Sequence, residues 1–230
     1  MVLEDFVMLG RTVPEQSKKH GLVVCSAGYS RELRQFLRIY PVHLFDRVPR
    51  WSQCRVRLRR NPSDSRIESW RIAEGDSIDV LGRANRHDEW DFLRTLATGS
   101  IAQLNEQRAS LGLLVPTLKG FRFHNMSPNE EFLLPLFPGD LPDTRLPRIL
   151  FDDEAGAHDL QLRDWGSHLF LMKQPTAQHG NLWSALKLTD PQYDHLFLVG
   201  NHAQHRNSWL IISVLSERNR PQCAFDFGEP

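Results

Sequence analysis

The sequence predicts a mainly β protein with interposed helices (α+β), built as two β-barrels joined by a helical connector. Three observations lead to this prediction. Short strand-like segments recur in the first and last thirds of the chain, helical patterns lie between them, and the strands do not alternate with long helices as βαβ units would require. The predicted boundaries are residues 1–82 for a basic N-terminal barrel, 83–112 for the connector and 113–230 for an acidic C-terminal domain.

Apolar and alternating runs define the strands of the first barrel. Residues 54–60 show the clearest alternation, because Val56 and Leu58 face one side while arginines occupy the positions between them. The other strands of this barrel are less regular and end at glycine, proline or polar turn residues. They cover residues 6–9, 22–25, 36–42, 67–72 and 77–81.

Two helices are predicted in the connector. The first covers residues 90–97 and follows an acidic pair, which the positive end of a helix favours. Ser100 is a suitable N-cap for the second helix, which covers residues 101–111 and ends at Gly112.

Strands and short helices share the last third of the chain. Asp164 is a suitable N-cap for a helix over residues 165–171, and a further helix is predicted over residues 182–188. Residues 219–230 are predicted to be a loose tail. The predicted strands cover residues 121–123, 133–137, 148–151, 159–162, 195–199 and 209–215.

The composition is typical of a globular protein of 230 residues, with 40% hydrophobic and 24% charged side chains. No apolar run approaches the roughly 18 residues of a membrane span, and the N-terminus lacks the pattern of a signal peptide. Cys25, Cys54 and Cys223 are too few and too scattered for a disulfide framework or a zinc motif. Cys54 lies among arginines, which would lower the pKa of its thiol. We expect a cytoplasmic protein without membrane contact.

The formal net charge of zero conceals an uneven distribution. Residues 1–71 carry 14 basic and 7 acidic side chains, whereas residues 72–230 carry 14 basic and 21 acidic ones. Arginine supplies 23 of the 28 basic side chains, and its planar fork binds phosphate bidentately. Two interpretations stay open: the basic third binds nucleic acid, or its arginines pair with the acidic remainder.

The candidate nucleic-acid-binding residues are arginines of the alternating strand together with nearby aromatic rings. The strand period places Arg55, Arg57 and Arg59 on one face about 7 Å apart, which approximates the phosphate spacing of a single strand. Aromatic rings among cations can stack on unpaired bases. The alternatives are a solvated outer face for the arginines and a core position for the rings. The full set is Arg55, Arg57, Arg59, Arg60, Trp51, Tyr29, Trp70, Arg38, Lys18 and Lys19.

The sequence contains no catalytic motif: there is no phosphate-binding glycine loop, no nucleophile elbow and no zinc-protease helix. We therefore predict no catalytic residue, no cofactor and no metal site. One alternative is a zinc or water-activating site formed by His195, His202 and His205. The acidic run at residues 152–154 is interpreted as a solvated turn rather than a cation site.

Short motifs spread along the chain carry a family resemblance. In the first third they are Arg11-Thr-Val-Pro-Glu-Gln-Ser-Lys-Lys19, Val23-Val-Cys-Ser-Ala-Gly28, Leu37-Arg-Ile-Tyr-Pro-Val42 and Glu68-Ser-Trp-Arg71. In the last third they are Phe151-Asp-Asp153, His158, Leu162 to Trp165, Val199-Gly-Asn201 and Asn207-Ser-Trp-Leu-Ile-Ile212. Through these motifs, roughly residues 5–216 resemble an uncharacterised bacterial group, the dual OB-containing domain family.

The resemblance implies two OB-like barrels with a role in binding nucleic acid or a partner. Such domains tend to occur in bacterial conflict and defence systems, in which separate chains or domains supply the effector. Members often carry a cysteine pair that could hold a metal, but residues 148–158 of this chain contain no cysteine. Some motif residues have a structural interpretation too, and Arg38, Glu68 and Arg71 are candidates for an internal ion-pair network.

The predicted function is that of a non-enzymatic nucleic-acid-binding subunit of a bacterial antiphage system, acting with a separate effector. Single-stranded DNA or RNA is the favoured ligand, and the acidic part of the chain would dock an effector or another subunit. The main alternative is a protein–protein adaptor subunit without nucleic-acid contact. A metal-dependent nuclease or hydrolase that uses the histidines near residues 195–205 is less favoured.

Overall fold

The structure is a computed structural model that describes residues 1–17, 20–43, 48–125, 145–203 and 205–219. Among the described residues up to residue 83, seven strands form one sheet. They are β1 (Val2–Arg11), β2 (Glu15–Ser17), β3 (Gly21–Ser30), β4 (Gln35–His43), β5 (Ser52–Arg60), β6 (Ser69–Ile72) and β7 (Ile78–Arg83).

Five of these strands close into a barrel. The order around it is β1, β3, β4, β6, β5 and again β1. The β4–β6 pair is parallel, and the other pairs of the ring are antiparallel. A closed, five-stranded, mostly antiparallel barrel with this crossover is OB-like. The prediction of a β-barrel in the first third of the chain is thereby confirmed.

The alternation along β5 shows how the sequence defines the inside of the barrel. Cys54, Val56 and Leu58 point into the core and are at most 2% exposed, whereas the arginines between them are exposed. Complete burial of such an aliphatic side chain contributes about 1.5–3 kcal/mol, which fixes the face that the strand presents to solvent. The core contains, in addition, Leu3, Phe6, Met8, Val24, Leu37, Ile39, Val42, Val48, Trp70 and Ile78.

Two helices follow the barrel, α1 (Arg86–Thr95) and α2 (Ile101–Glu106). The prediction that Ser100 caps the second helix is confirmed, because its side chain accepts a hydrogen bond from the Gln103 N–H at 3.1 Å. The predicted end of this helix is wrong. Residues from 111 onward form a strand instead, and a Cβ atom at Gly112 would lie 2.4 Å from the Leu104 side chain. Among the described residues, no helix is long and apolar enough to cross a membrane.

The second half of the chain contains two three-stranded sheets and short helices. The sheet orders are β11-β10-β9 and β13-β12-β8. The strands are β8 (Leu111–Leu114), β9 (Thr117–Asn125), β10 (Arg145–Asp153), β11 (Gly156–Gln161), β12 (Tyr193–Asn201) and β13 (Trp209–Arg218). The helices are α3 (Trp165–Lys173), a 3₁₀ turn (Thr176–Asn181) and α4 (Leu182–Ala185).

The prediction of a second closed barrel stays a prediction, as do the predicted domain boundaries. The two sheets of the second half meet at a single parallel bridge between Leu162 and Ile211. The predicted N-cap Asp164 is confirmed, since its carboxylate accepts a hydrogen bond from the Ser167 N–H at 2.7 Å. The predicted strand at residues 133–137 and nearly all of the predicted tail lie outside the described residues.

An apolar cluster joins the first barrel to the second half. Side chains of β1 and β3 pack there with side chains of α1, β8, β12 and β13. Because this cluster excludes water between the halves, the two parts of the chain form one packed body. Its buried members are Val7, Leu9, Ala27, Tyr29, Trp90, Leu93, Leu111, Leu113, Leu196, Leu198, Ile212 and Leu215.

A polar bridge crosses the same boundary. Arg38 of β4 donates to the carbonyl oxygens of Asn201 and Ser110, at 3.0 and 2.8 Å. Glu68 accepts from the N–H and hydroxyl of the same Ser110, at 2.8 and 2.7 Å. We call Arg38, Glu68 and Ser110 the Ser110 bridge. Within the described chain, the expected direct ion pairs among Arg38, Glu68 and Arg71 are not formed, because the buried charges bind Ser110 instead.

The Ser110 bridge makes a testable contribution to stability. In Glu68→Ala, the buried N–H and hydroxyl of Ser110 lose their acceptor, and the Arg38 charge loses the nearby negative charge. We expect the free energy of unfolding to fall by about 3–5 kcal/mol, measured by urea denaturation. Glu74→Ala, at an exposed turn position, is the control. An equally small loss in both variants would contradict the structure.

His168 of α3 makes stability depend on pH. Burial, and then the charge of Arg163, lower the pKa of this histidine from 6.5 to about 4. Below pH 6.5 the unfolded chain therefore binds a proton at His168 that the folded chain does not bind. The stability that neutral His168 contributes is fully present above pH 6.5 and is lost as the pH falls towards 4.

We expect His168→Phe, which keeps a ring beside Trp165, to reduce this acid sensitivity. Between pH 6.5 and 4 the original protein should lose up to about 3 kcal/mol more than the variant, because each pKa unit corresponds to about 1.4 kcal/mol. Urea denaturation at a series of pH values measures the difference. The exposed His43→Phe serves as the control, and parallel pH curves for His168→Phe and the original protein would contradict this assignment.

Candidate functional site

Strand β5 carries four arginines, which we call the arginine row: Arg55, Arg57 and Arg59 lie on its outer face and Arg60 is its last residue. All four are exposed, and the first three alternate with buried core residues as the sequence predicts. The strand therefore holds these three arginines on one face, with neighbouring members about 7 Å apart along the strand.

Carboxylates accompany part of the arginine row. Arg55 donates to Glu4 at 2.9 Å, and Arg57 lies 3.6 Å from Asp76. Both arginines remain at least half exposed in these ion pairs. Arg59 has no ion-pair partner within the part of the chain that the structure describes. The row therefore offers solvent-exposed positive charge, although two of its members have competing internal partners.

Arg60 and Trp70 form a contact with each other. The guanidinium carbon of Arg60 lies 3.9 Å from the centre of the Trp70 ring, and the same group donates to the carbonyl oxygen of Ile67 at 2.6 Å. Trp70 is only 7% exposed, and its accessible face is covered by this cation–π contact. The ring therefore stabilises the position of Arg60 and does not present a free face to a base.

The other predicted site residues do not join the arginine row. Tyr29 is buried among Phe36 and Phe92, and Arg38 is buried in the Ser110 bridge. Trp51 is half-buried and packs against the apolar cluster between the halves. Lys18 and Lys19 lie outside the described residues. The prediction that Tyr29 and Trp70 stack on bases is therefore wrong, because both rings are buried. Burial in the core stabilises the fold more than exposure of such large rings would.

A second feature is a cavity of about 310 Å³ between the first barrel and the second half, which we call the interface cavity. Strands β3 and β4 and the loop after β5 form one wall, and the end of β12 with part of β13 forms the other. The exposed residues Ser63, His202 and Ala203 mark its mouth. It is lined further by Thr12, Val13, Glu15, Cys25, Arg38, Tyr40, Asn61, Asp64, Arg66, Arg163, Gly200, Asn201, Leu210 and Ile212.

Three titratable side chains of the interface cavity, those of Cys25, Tyr40 and His202, are held in their neutral forms. Burial raises the pKa of the Cys25 thiol to about 11. Burial, and then the carboxylate of Glu15, raise the pKa of the Tyr40 hydroxyl. Partial burial, and then the neighbouring His205, lower the pKa of His202. Near neutral pH the cavity therefore contains a thiol, a phenol and a neutral imidazole rather than extra charges.

The structure does not bring the three histidines of the zinc alternative together. His195 lies at the start of β12 and His202 follows its end, so the chain separates them by about 20 Å of extended strand. His202 and His205 stack with ring centres 5.4 Å apart. No group of three or more histidine, cysteine or acidic residues suited to a metal is found among the described residues.

Sequence reasoning missed the interface cavity because its walls come from segments far apart in the chain. From the sequence, Arg38 is predicted to be a nucleic-acid ligand, whereas Asn201 is not among the predicted site residues. A signal did exist, since the motifs that carry the family resemblance include Cys25, Arg38, Tyr40 and Asn201. These motifs converge on one cavity only after the two halves have packed.

Comparisons with known proteins identify one family model and several solved structures. A domain of unknown function (DUF8758) matches residues 3–98, and no curated protein matches. A murine DNA-binding protein bound to double-stranded DNA is 9% identical, covering 94% of this chain and 96% of its own, with a TM-score of 0.35. The tetrameric p202 HIN2 is 11% identical, covering 96% of this chain and 95% of its own, with a TM-score of 0.32. Similarity at this level assigns no ligand to this chain.

The raised thiol pKa values lead to a labelling prediction. Burial, and then Asp79, raise the pKa of Cys54 to about 12, so the expectation of a lowered pKa is wrong. In a Cys223→Ser variant, the folded protein should react with a disulfide reagent at pH 8 more slowly than after denaturation, by about 100-fold at Cys25 and about 1000-fold at Cys54, because the thiolate is the reactive form. Rapid release of one equivalent from the folded protein would contradict the expected protection.

Proposed function

We propose that the protein is a non-enzymatic nucleic-acid-binding subunit whose arginine row contacts phosphates. The observation that carries the proposal is the exposure of four arginines on one outward strand face and its end. Alternate residues of a strand lie about 7 Å apart, which suits successive phosphates of an extended nucleic-acid strand. A guanidinium fork binds a phosphate bidentately, so each member of the row can accept one phosphate.

The ion pairs in the arginine row are compatible with this proposal. Exposed pairs of this kind contribute only about 0–1 kcal/mol, so a phosphate can replace the carboxylates of Glu4 and Asp76. Release of counterions from the nucleic acid then adds a favourable contribution at low salt. Arg59 can bind without any such exchange.

We propose single-stranded DNA or RNA as the ligand, on the basis of the spacing of the arginine row. The buried positions of Tyr29 and Trp70 remove the stacking contribution from this surface. Binding through the row alone should therefore depend on phosphates and tolerate many sequences.

We further propose that the second half is a second OB-like barrel and that residues 83–112 connect the two. From β9 the neighbours are β10 and β11, then across the Leu162–Ile211 bridge β13, β12 and β8. Only two residues separate β8 from β9, so the ring returns to its starting strand. With β8 and β9 counted as one interrupted strand, this order matches that of the first barrel. In both rings the third and fifth strands in chain order lie parallel, and in the second half this seam is weakly paired.

The proposed cellular role rests on the family resemblance alone. In that role the protein would be a cytoplasmic subunit of a bacterial antiphage system, and a separate chain would supply the effector. The excess of acidic over basic side chains in residues 72–230 supports a different partner for the second half. A basic or mixed-charge protein surface is the partner that such a charge favours.

Fluorescence anisotropy over a salt series tests the nucleic-acid proposal. Labelled single- and double-stranded DNA and RNA are compared for the original protein and for Arg55→Ala/Arg57→Ala/Arg59→Ala. We expect the affinity for single strands to fall steeply with salt, and the triple variant to lower the logarithmic salt slope by about 2, since each lost phosphate contact removes about 0.7. Arg94→Ala/Arg206→Ala/Arg218→Ala, which removes the same charge at exposed sites elsewhere, is the control.

Two outcomes would overturn the proposal. One is the absence of binding at low salt to every nucleic acid tested. The other is an equal effect of the two triple variants, because the response would then reflect overall charge rather than the arginine row.

A protein–protein adaptor is the second candidate, and the edge strand β7 favours it. Val80 and Leu81 point to opposite faces and are 48% and 47% exposed. Along the described chain β7 pairs only with β5, so its other edge can accept a strand from a partner. In a complex purified from its host, protection of residues 78–83 from hydrogen exchange, without bound nucleic acid, would favour this function.

Glu4 provides an independent test of the arginine row. In Glu4→Gln the carboxylate that competes for Arg55 is removed, so we expect the affinity for single strands to rise about 2- to 5-fold at low salt, in the range of one exposed ion pair. The same anisotropy assay measures it. Glu106→Gln, at an exposed position of α2 away from the row, is the control, and a rise of equal size there would remove support for a specific contact at Arg55.

A further inference from the structure

Two residues that line the interface cavity each carry a buried polar atom for which the described residues supply no partner. They are Nε of Arg38 and Oδ1 of Asn201. The two residues are 6% and 4% exposed. A buried polar atom without a hydrogen bond is costly, by about 1–3 kcal/mol, and native structures seldom retain one without a reason. A ligand that satisfies both atoms would remove this cost.

The two atoms belong to residues that are already in contact. Arg38 donates through Nη1 to the main-chain carbonyl of Asn201 at 3.0 Å, so the two residues lie next to each other in the wall of the cavity. The matching ligand edge carries an acceptor next to a donor. The amide and amidine edges of nucleobases have this pattern.

The remaining walls of the interface cavity suit a neutral, planar ligand. The carboxylate of Asp64 is satisfied within the protein by Arg66 and Ser69, so it does not require an external cation. Val13 and Ile212 are apolar and buried, and the half-buried ring of Tyr40 offers a surface for stacking. A volume of about 310 Å³ lies at the lower end of small-molecule pockets and is sufficient for one base.

The interface cavity also lies where the arginine row ends. Asn61 and Ser63 line the cavity, and Asn61 directly follows Arg60, the last residue of β5. The end of the arginine row and one wall of the interface cavity therefore belong to the same stretch of chain.

We infer that the interface cavity binds a single unpaired nucleobase, with Arg38 Nε donating to the base and Asn201 Oδ1 accepting from it. The inference deepens the proposed function and rests on it where the base belongs to a strand held by the arginine row. A free nucleotide offers the same chemistry, so the two sources must be distinguished by experiment.

Asn201→Ala isolates the proposed contact. The main-chain carbonyl of residue 201, which accepts from Arg38 and Arg66 at 3.0 and 2.7 Å, remains in the variant. The variant removes the side-chain amide, whose Oδ1 has no partner among the described residues, and leaves the main-chain contacts in place, so the folded state should be retained. Asn207→Ala, at an exposed loop position, is the matched control.

Two sets of ligands separate the two sources of the base. The first consists of the nucleoside monophosphates, titrated by calorimetry. The second consists of short single strands of each base and abasic strands with the same number of phosphates, measured by anisotropy. We expect one or more bases to bind more tightly than the abasic strand, and this increment to fall about 3- to 10-fold in Asn201→Ala but not in Asn207→Ala.

The outcomes distinguish the cavity from the arginine row. Equal binding of base-containing and abasic strands, with no binding of monophosphates, would overturn the cavity assignment and leave the row intact. Binding of monophosphates that is lost in Asn201→Ala, without binding of any strand, would support the cavity and overturn the row.

A second variant keeps the test decisive if Asn201→Ala fails to fold. Cys25→Met fills part of the interface cavity and alters no hydrogen bond of the Cys25 side chain in the described structure, because the residue is bonded there through its main-chain N–H to Thr12. It should abolish the base-dependent increment while the salt slope contributed by the arginine row is preserved. An unchanged increment in this variant would overturn the inference.

Discussion

The Ser110 bridge is the contact on which the arrangement of the two halves depends. Arg38 comes from the first barrel, Glu68 from the loop before its β6 strand, and Ser110 from the segment that begins the second half. Loss of one partner from a buried polar contact of this kind is costly, so the bridge favours the arrangement of the halves in which all of its hydrogen bonds are made. The adjoining apolar cluster supplies the attraction between the halves, and the Ser110 bridge determines how they are aligned.

The same contact creates the interface cavity. Because the Arg38 guanidinium reaches across to the carbonyls of Ser110 and Asn201, its Nε is left without a protein partner in the described structure. Gly200 allows this approach, since a Cβ atom there would lie 2.8 Å from Nη2 of Arg38. A structural arginine thus leaves one donor for a ligand. The same side chain therefore aligns the halves and forms part of the proposed base site.

The two interpretations of the charge asymmetry apply to different arginines. Arg50 bonds Asp164 at 2.8 Å and Arg38 bonds main-chain carbonyls, so these side chains hold the halves together. Arg55, Arg57 and Arg59 point outward from the barrel, and the first two form ion pairs with Glu4 and Asp76, both in residues 1–83. Some arginines of the basic first third therefore make internal contacts and others form an exposed surface. A count of charges does not distinguish these two groups.

Features that depend on local patterns are readable from the sequence alone. Alternation in β5 fixed which side chains enter the barrel, because a strand has a period of two, and Ser100 and Asp164 were recognisable as caps from their side-chain chemistry. Three other features follow from tertiary contacts: α2 ends early, Tyr29 and Trp70 are core residues, and Arg38 meets Asn201. Those outcomes depend on contacts between residues as far as 163 positions apart, and no local pattern encodes such a distance.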